Sequence, residues 1–143
     1  MSYLSDFERS FSHHTLRLVE EYSGEFDATL LVNCLLGLLV VPKETFLMAI
    51  PEDPISNLRH WGVNPTGIRS PGRGTKSDPH RATLRSLVTN LRHSVAHFRI
   101  KPVPAAGDVH SFEFTNNWGL EAEIPIVELR EFVTRLSKHL SEQ

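Results

Sequence analysis

The chain has 143 residues, 40 % of them hydrophobic and 22 % charged, with one cysteine and a net charge of −2, so a core can form without disulfide or metal staples. The lone Cys34 permits no internal disulfide, and no leader is evident, so a reducing, cytoplasmic setting is expected. The charge is uneven: residues 1–56 sum to −6, residues 57–101 to +8 and residues 102–143 to −4, and such a block suits either a polyanion site or a solvated basic surface.

A first helix is expected from about Ser5 to Tyr22, because Phe7, Phe11, His14, Leu18 and Tyr22 recur at helical period and make one apolar face. His14 on that face is expected to be packed. Gly24 ends it, and a second helix from about Phe26 to Val41 is apolar nearly all round, which places it at the centre. Its run from Ala28 to Val41 falls about six residues short of a membrane span. Cys34 within it reads as an inert, packed thiol. Residues 51–80 hold five prolines and four glycines, and they read as an irregular basic loop with at most a short helix at "ISNLRHW". Its "SPGRGTK" lacks the Gly-Lys-Ser/Thr ending of a phosphate loop.

A third helix is expected from about Pro79 to Phe98, with Leu84, Leu87, Val88, Leu91, Val95 and Phe98 as its apolar stripe. "KPVPAAGD" stops it. "HSFEFTNNWGLEAEI" alternates on both sides of "NNWG", which predicts a β-hairpin over 109–124 with Phe112, Phe114, Leu120, Ala122 and Ile124 inward. Pro125 then fits the first turn of a last helix, striped by Ile126, Leu129, Val133, Leu136 and Leu140. The expected fold is all-α: one antiparallel bundle of about four to five helices over residues 1–143, with a small hairpin before the last.

On a wheel of about 100° per residue, Arg81, Arg85, Arg92 and Arg99 flank the stripe of the third helix on one side, while His93 and His97 lie opposite it. In a monomer His97 would be an idle solvated group; under a second subunit the histidines would enter a cleft edged by arginines. The spacing Arg92-x4-His97 carries little by itself. With 11 arginines and 8 histidines, about 0.6 such pairs arise by chance, and Arg9 with His14 is a second instance. His93 and His97 are also spaced like two metal ligands on one helical turn, but Ser94 stands where zinc motifs have Glu. Only His80 or His110 offers a third ligand, so no metal is assigned.

The segment "LRHSVAHF" resembles the signature of the HEPN superfamily, in which Arg92 matches the family arginine and His97 the family histidine. His93 sits where that pattern carries a polar residue. "LLVNCLLGLLVVPKE", residues 30–44, and the hairpin with its final helix resemble a plasmid-associated HEPN subgroup. The resemblance implies a metal-independent endoribonuclease without cofactor, often a toxin or defence protein, working as a homodimer with both motif helices facing one cleft. It also implies RNA as partner and an antitoxin as a further one, for which a neighbouring nucleotidyltransferase-like gene would speak.

RNA supplies its own 2′-hydroxyl nucleophile, so positioning removes much of the barrier. An imidazole titrating near pH 6.5 moves the proton, and an arginine fork stabilises the charged phosphorane. Arg92, His97 and His93 are thus candidates for phosphate clamp, acid–base group and helper. Arg85 and Arg99 on the ridge, with Arg69, Arg73 and Lys76 from the loop, are candidates for RNA backbone contact. Trp61 and Trp118 read as packing residues first and as base-stacking platforms second. The rival reading is a non-catalytic module holding RNA, a nucleotide or a protein on the same fold. A DNA regulator is weaker, because no helix-turn-helix pattern is present.

Overall fold

The computed structural model describes residues 6–22, 30–34, 47–75 and 77–142. Through them run helix α1 (Asp6–Glu21), 3-10 segments at Ile55–Trp61 and Pro65–Gly67, strand β1 (Ile68–Pro71), helix α2 (Leu84–Ala96), strands β2 (Ile100–Ala105), β3 (Asp108–Thr115) and β4 (Leu120–Pro125), and helix α3 (Ile126–Ser141). The four strands form one sheet in the order β1-β4-β3-β2, every neighbouring pair antiparallel. The fold is therefore mixed α/β, which corrects the all-α bundle. The expected hairpin is the centre of that sheet, and strands on either side of it complete it.

The hairpin itself has the expected register. Phe112 opposes Ile124 and Phe114 opposes Ala122, and with Leu120 all five inward residues are buried. They join Leu84, Leu87, Val88, Leu91 and Val95 of α2 and Leu129, Phe132, Val133, Leu136 and Leu140 of α3 in one hydrophobic cluster. Removing each such side chain from water stabilises the fold by about 1.5–3 kcal/mol. α3 starts one residue after Pro125, which closes β4 and stands at the helix N-cap.

The added strands come from segments rich in proline. β2 contains Pro102 and Pro104, which remove two donors from any ladder; it is tolerated because β2 is the sheet edge and because its register with β3 slips between Val103 and Pro104. Ala106 and Gly107, both with positive φ, make the two-residue turn from β2 into β3. β1 comes from within 51–80, so that segment is not irregular. Its Ile55–Trp61 turn is held by Trp61, which is buried and donates from Nε1 to Asp53 Oδ2 at 3.1 Å. Arg135 of α3 donates to the Arg59 and His60 carbonyls at 3.1 and 2.8 Å.

Three helical expectations need correction. α1 does not bury the stripe of His14 and Leu18: His14 is exposed and Leu18 is 57 % exposed, whereas Thr15 and Val19, one position on, are buried. α1 packs on α3, and Arg130 donates to the Val19 carbonyl at 2.7 Å, so that neighbour selects the buried face. α2 starts at Leu84 rather than Pro79, because Thr83 and Ser86 form a reciprocal capping box that stops the helix from extending backwards. It ends at Ala96, which leaves Phe98 outside the helix and 76 % exposed, not in the stripe. The helix expected at Phe26–Val41 lies mostly outside the described residues. Within it 30–34 are helical and Leu31 and Cys34 are buried, and burial pushes the Cys34 thiol above its usual pKa.

Between β1 and α2, Gly72 has φ +81°, and a Cβ there would stand 2.2 Å from Asn90 Oδ1. Gly72→Ala is therefore expected to lower stability by about 2–3 kcal/mol, from the left-handed backbone and the displaced carboxamide together. Urea unfolding measures it; an unchanged midpoint would show that the loop is not fastened to α2.

Candidate active site

The site forms where the C-terminal end of α2 meets the β3–β4 turn. Its frame is a pair of buried asparagines. Asn90 on α2 donates from Nδ2 to the Arg73 and Ser86 carbonyls, both at 2.8 Å. Asn116 donates from Nδ2 to Asn90 Oδ1 at 2.8 Å and to the Asn90 carbonyl at 3.3 Å. Its Oδ1 accepts from the Trp118 and Leu120 N–H groups at 2.9 Å each. These bonds tie the loop that carries Arg73 and the turn that carries Trp118 to the same turn of α2.

Trp118 is thereby laid against His93. Their rings stack with centroids 4.2 Å apart and planes 26° from parallel, and the Arg73 guanidinium carbon lies 4.4 Å from the Trp118 ring centre. His97 is the residue that caps the C-terminal end of α2, exposed, with its ring centroid 4.4 Å from that of His93. Its N–H donates to the His93 carbonyl at 3.2 Å. Arg99 follows, immediately before β2, and donates from Nη1 to Asn117 Oδ1 in the β3–β4 turn. A second set of bonds locks this corner: the Arg99 N–H donates to the Ser94 carbonyl at 2.7 Å, and the Ser94 hydroxyl donates to the Arg99 carbonyl at 2.8 Å.

The expected site residues separate in this geometry. His93, His97, Arg73 and Arg99 come together, and Arg92 sits half-buried on α2 immediately before His93. Arg85 is engaged elsewhere, donating to the Ile50 and Met48 carbonyls at 2.8 and 3.2 Å and standing 3.8 Å from Glu52. Arg69 on β1 lies 3.8 Å from Glu113 on the sheet. Lys76 lies outside the described residues. Asn90, Asn116 and the pairing of Trp118 with His93 were not anticipated. Asn116 alone had a local sign, since an asparagine accepting from the N–H two residues on is the usual start of such a turn.

Electrostatics favour a neutral His93. Burial first, then the positive charges of His97, Arg99 and Arg73, hold its imidazole below the usual value, and its Nδ1 is buried with no hydrogen-bond partner among the described residues. The folded protein therefore binds this proton less readily than the unfolded chain does. The resulting stability is present above pH ~6.5 and is lost as pH falls from there through the lowered folded value. Trp118→Ala uncovers the ring and is expected to move the His93 titration upward towards the ordinary imidazole range, read from its ring protons by NMR. A titration that stayed put would assign the shift to the charges alone.

Among the described residues, no three His, Cys, Asp or Glu side chains gather closely enough to hold a metal ion, and no helix is long and apolar enough to cross a membrane. A family model described as HEPN pEK499 p136 matches residues 1–143. No curated protein and no solved structure matches the chain.

Proposed function

The chain belongs to the plasmid-associated HEPN family described as HEPN pEK499 p136, and on that premise we propose that it is a metal-independent endoribonuclease. The observation that carries the reading is the pair of imidazoles 4.4 Å apart at the open end of α2, with Arg73 and Arg99 beside them. In the proposed reaction the substrate's 2′-hydroxyl attacks the adjacent phosphorus and the 5′-oxygen leaves, giving a 2′,3′-cyclic phosphate and a free 5′-hydroxyl. One proton is removed from the nucleophile and one is delivered to the leaving oxygen. His97 is the acid–base group, Arg92 the fork on the phosphate oxygens, and His93 a neutral partner that orients His97 or relays its proton. Arg73 and Arg99 hold the RNA backbone.

One copy exposes one of these two imidazoles, because the His93 ring is stacked on Trp118. A complete acid–base pair is thus best supplied by the His97 side chains of two copies, which is why a homodimer with a shared cleft belongs to the proposal. A neighbouring antitoxin is the partner that a toxin role would add.

The same stacking of His93 supports a second reading, a module that holds RNA, a nucleotide or a protein partner without cleaving anything. Incubating the purified protein with RNA and excess chelator separates the two. Products ending in 2′,3′-cyclic phosphate are expected; intact RNA that remains bound would establish the module, and cleavage that the chelator stops would overturn the metal-independent mechanism.

A further inference from the structure

Immediately beyond His97 stands a side chain that the proposed chemistry leaves unused. Phe98 has φ +54° and is 76 % exposed. A bulky residue in the left-handed region is an outlier that persists only where the surroundings over-determine it. They do so here. The Phe98 N–H donates to the Val95 carbonyl at 3.0 Å, the Arg99 N–H reaches back to the Ser94 carbonyl at 2.7 Å, and the Thr115 N–H on β3 donates to the Arg99 carbonyl at 3.1 Å. The fully buried Ser94 clamps the Arg99 carbonyl from the other side at 2.8 Å. The corner between α2 and β2 is therefore rigid, and it holds an aromatic ring out in water at a position where glycine would be relaxed.

The other aromatic ring of the site is already in use, since Trp118 carries both His93 and Arg73. Among the described residues of the site, Phe98 is the one large apolar side chain presented outward. It is flanked in sequence by His97 and Arg99, inside the segment that carries the chain's positive block. An apolar ring bordered by cations matches the two halves of an unpaired nucleotide, a flat base and a phosphate. We propose that Phe98 is a base-stacking residue that receives an unpaired base next to the phosphate bound at His97 and Arg92. This rests on the nuclease reading for the identity of the bound phosphate, but its test does not require cleavage.

The test uses the full chain and a fluorescent single-stranded oligonucleotide of mixed sequence whose 2′-hydroxyls are replaced by hydrogen, so that it cannot be cut by the proposed mechanism. Stacking on an aromatic side chain contributes about 1–3 kcal/mol per base, so Phe98→Ala is expected to weaken anisotropy-measured binding by roughly tenfold or more, and Phe98→Trp to retain it. Phe98→Gly is expected to weaken binding equally while raising the melting midpoint by about 3 °C, because the left-handed strain is relieved. Loss of binding without loss of stability separates a contact residue from a structural one. Unchanged binding in Phe98→Ala overturns the inference, and so does a smaller sedimenting species in that variant, which would make Phe98 a contact between two copies of this chain. If the wild type cleaves RNA and Phe98→Ala binds the probe normally, the stacking contact falls and the nuclease reading stands. Weakened binding in a chain that cleaves no RNA leaves the opposite result.

Discussion

Replacement of His97 by alanine is expected to lower RNA cleavage by roughly a thousandfold, in the range seen when a positioned acid–base group is lost, with no change in melting temperature. The two halves of that expectation have separate origins. His97 caps α2 through its backbone, whose N–H donates to the His93 carbonyl at 3.2 Å, and alanine makes the same bond. Its side chain is exposed, and substitutions at such positions usually change stability by less than about 0.5 kcal/mol. The lost activity would therefore be chemical. Arg92→Lys supplies the matching control for the phosphate clamp: the charge is kept but the planar fork is lost, and a smaller drop of about a hundredfold is expected. A His97→Ala protein that cleaves at the wild-type rate removes His97 from the mechanism outright.

Asn116→Ala carries the largest expected effect on stability, about 3 kcal/mol. Four hydrogen bonds end on that carboxamide, and its loss leaves the N–H groups of Trp118 and Leu120 without their acceptor and Asn90 Oδ1 without its donor. Each buried polar group orphaned in this way costs about 1–3 kcal/mol. Asn116→Asp is informative beside it: the carboxylate still accepts from both N–H groups but faces Asn90 Oδ1 with no proton to give. Both variants are expected to release Trp118 from His93, so the His93 ring signals should lose the upfield shift that a stacked indole imposes. If chemical denaturation gave the wild-type midpoint for Asn116→Ala, the asparagine pair would not be the frame of the site.

Much of the β3–β4 hairpin and of α3 was legible because each buries one face and leaves the other wet. Alternation about "NNWG" identifies the inward residues of β3 and β4, and the period in 126–140 identifies the buried side of α3. β1 and β2 were not legible, for a local reason. Pro102 and Pro104 argue against a strand wherever the strand's neighbours are unknown, and the Ala106–Gly107 turn lacks the Asn or Asp that usually announces such a hairpin. At the site, wheel geometry placed His93 and His97 away from the core of α2. It carried the helix past its real end, however, so His97 and Phe98 belong to a corner rather than to a helical face.

Read alone, the sequence determined which side chains are apolar and at what period, where cations concentrate, and that Arg92, His93 and His97 lie within six positions of one another. Those properties are local and survive in any fold. Tertiary structure decided which cations reach the histidines: Arg73 arrives through the Asn90 tether, whereas Arg85 turns to the Ile50 and Met48 carbonyls. It also decided that Trp118 covers His93 and that Phe98 is held outward. The physical reason is that each of these outcomes depends on a hydrogen bond or ring contact between residues distant in the chain, and no periodicity along one segment encodes its partner.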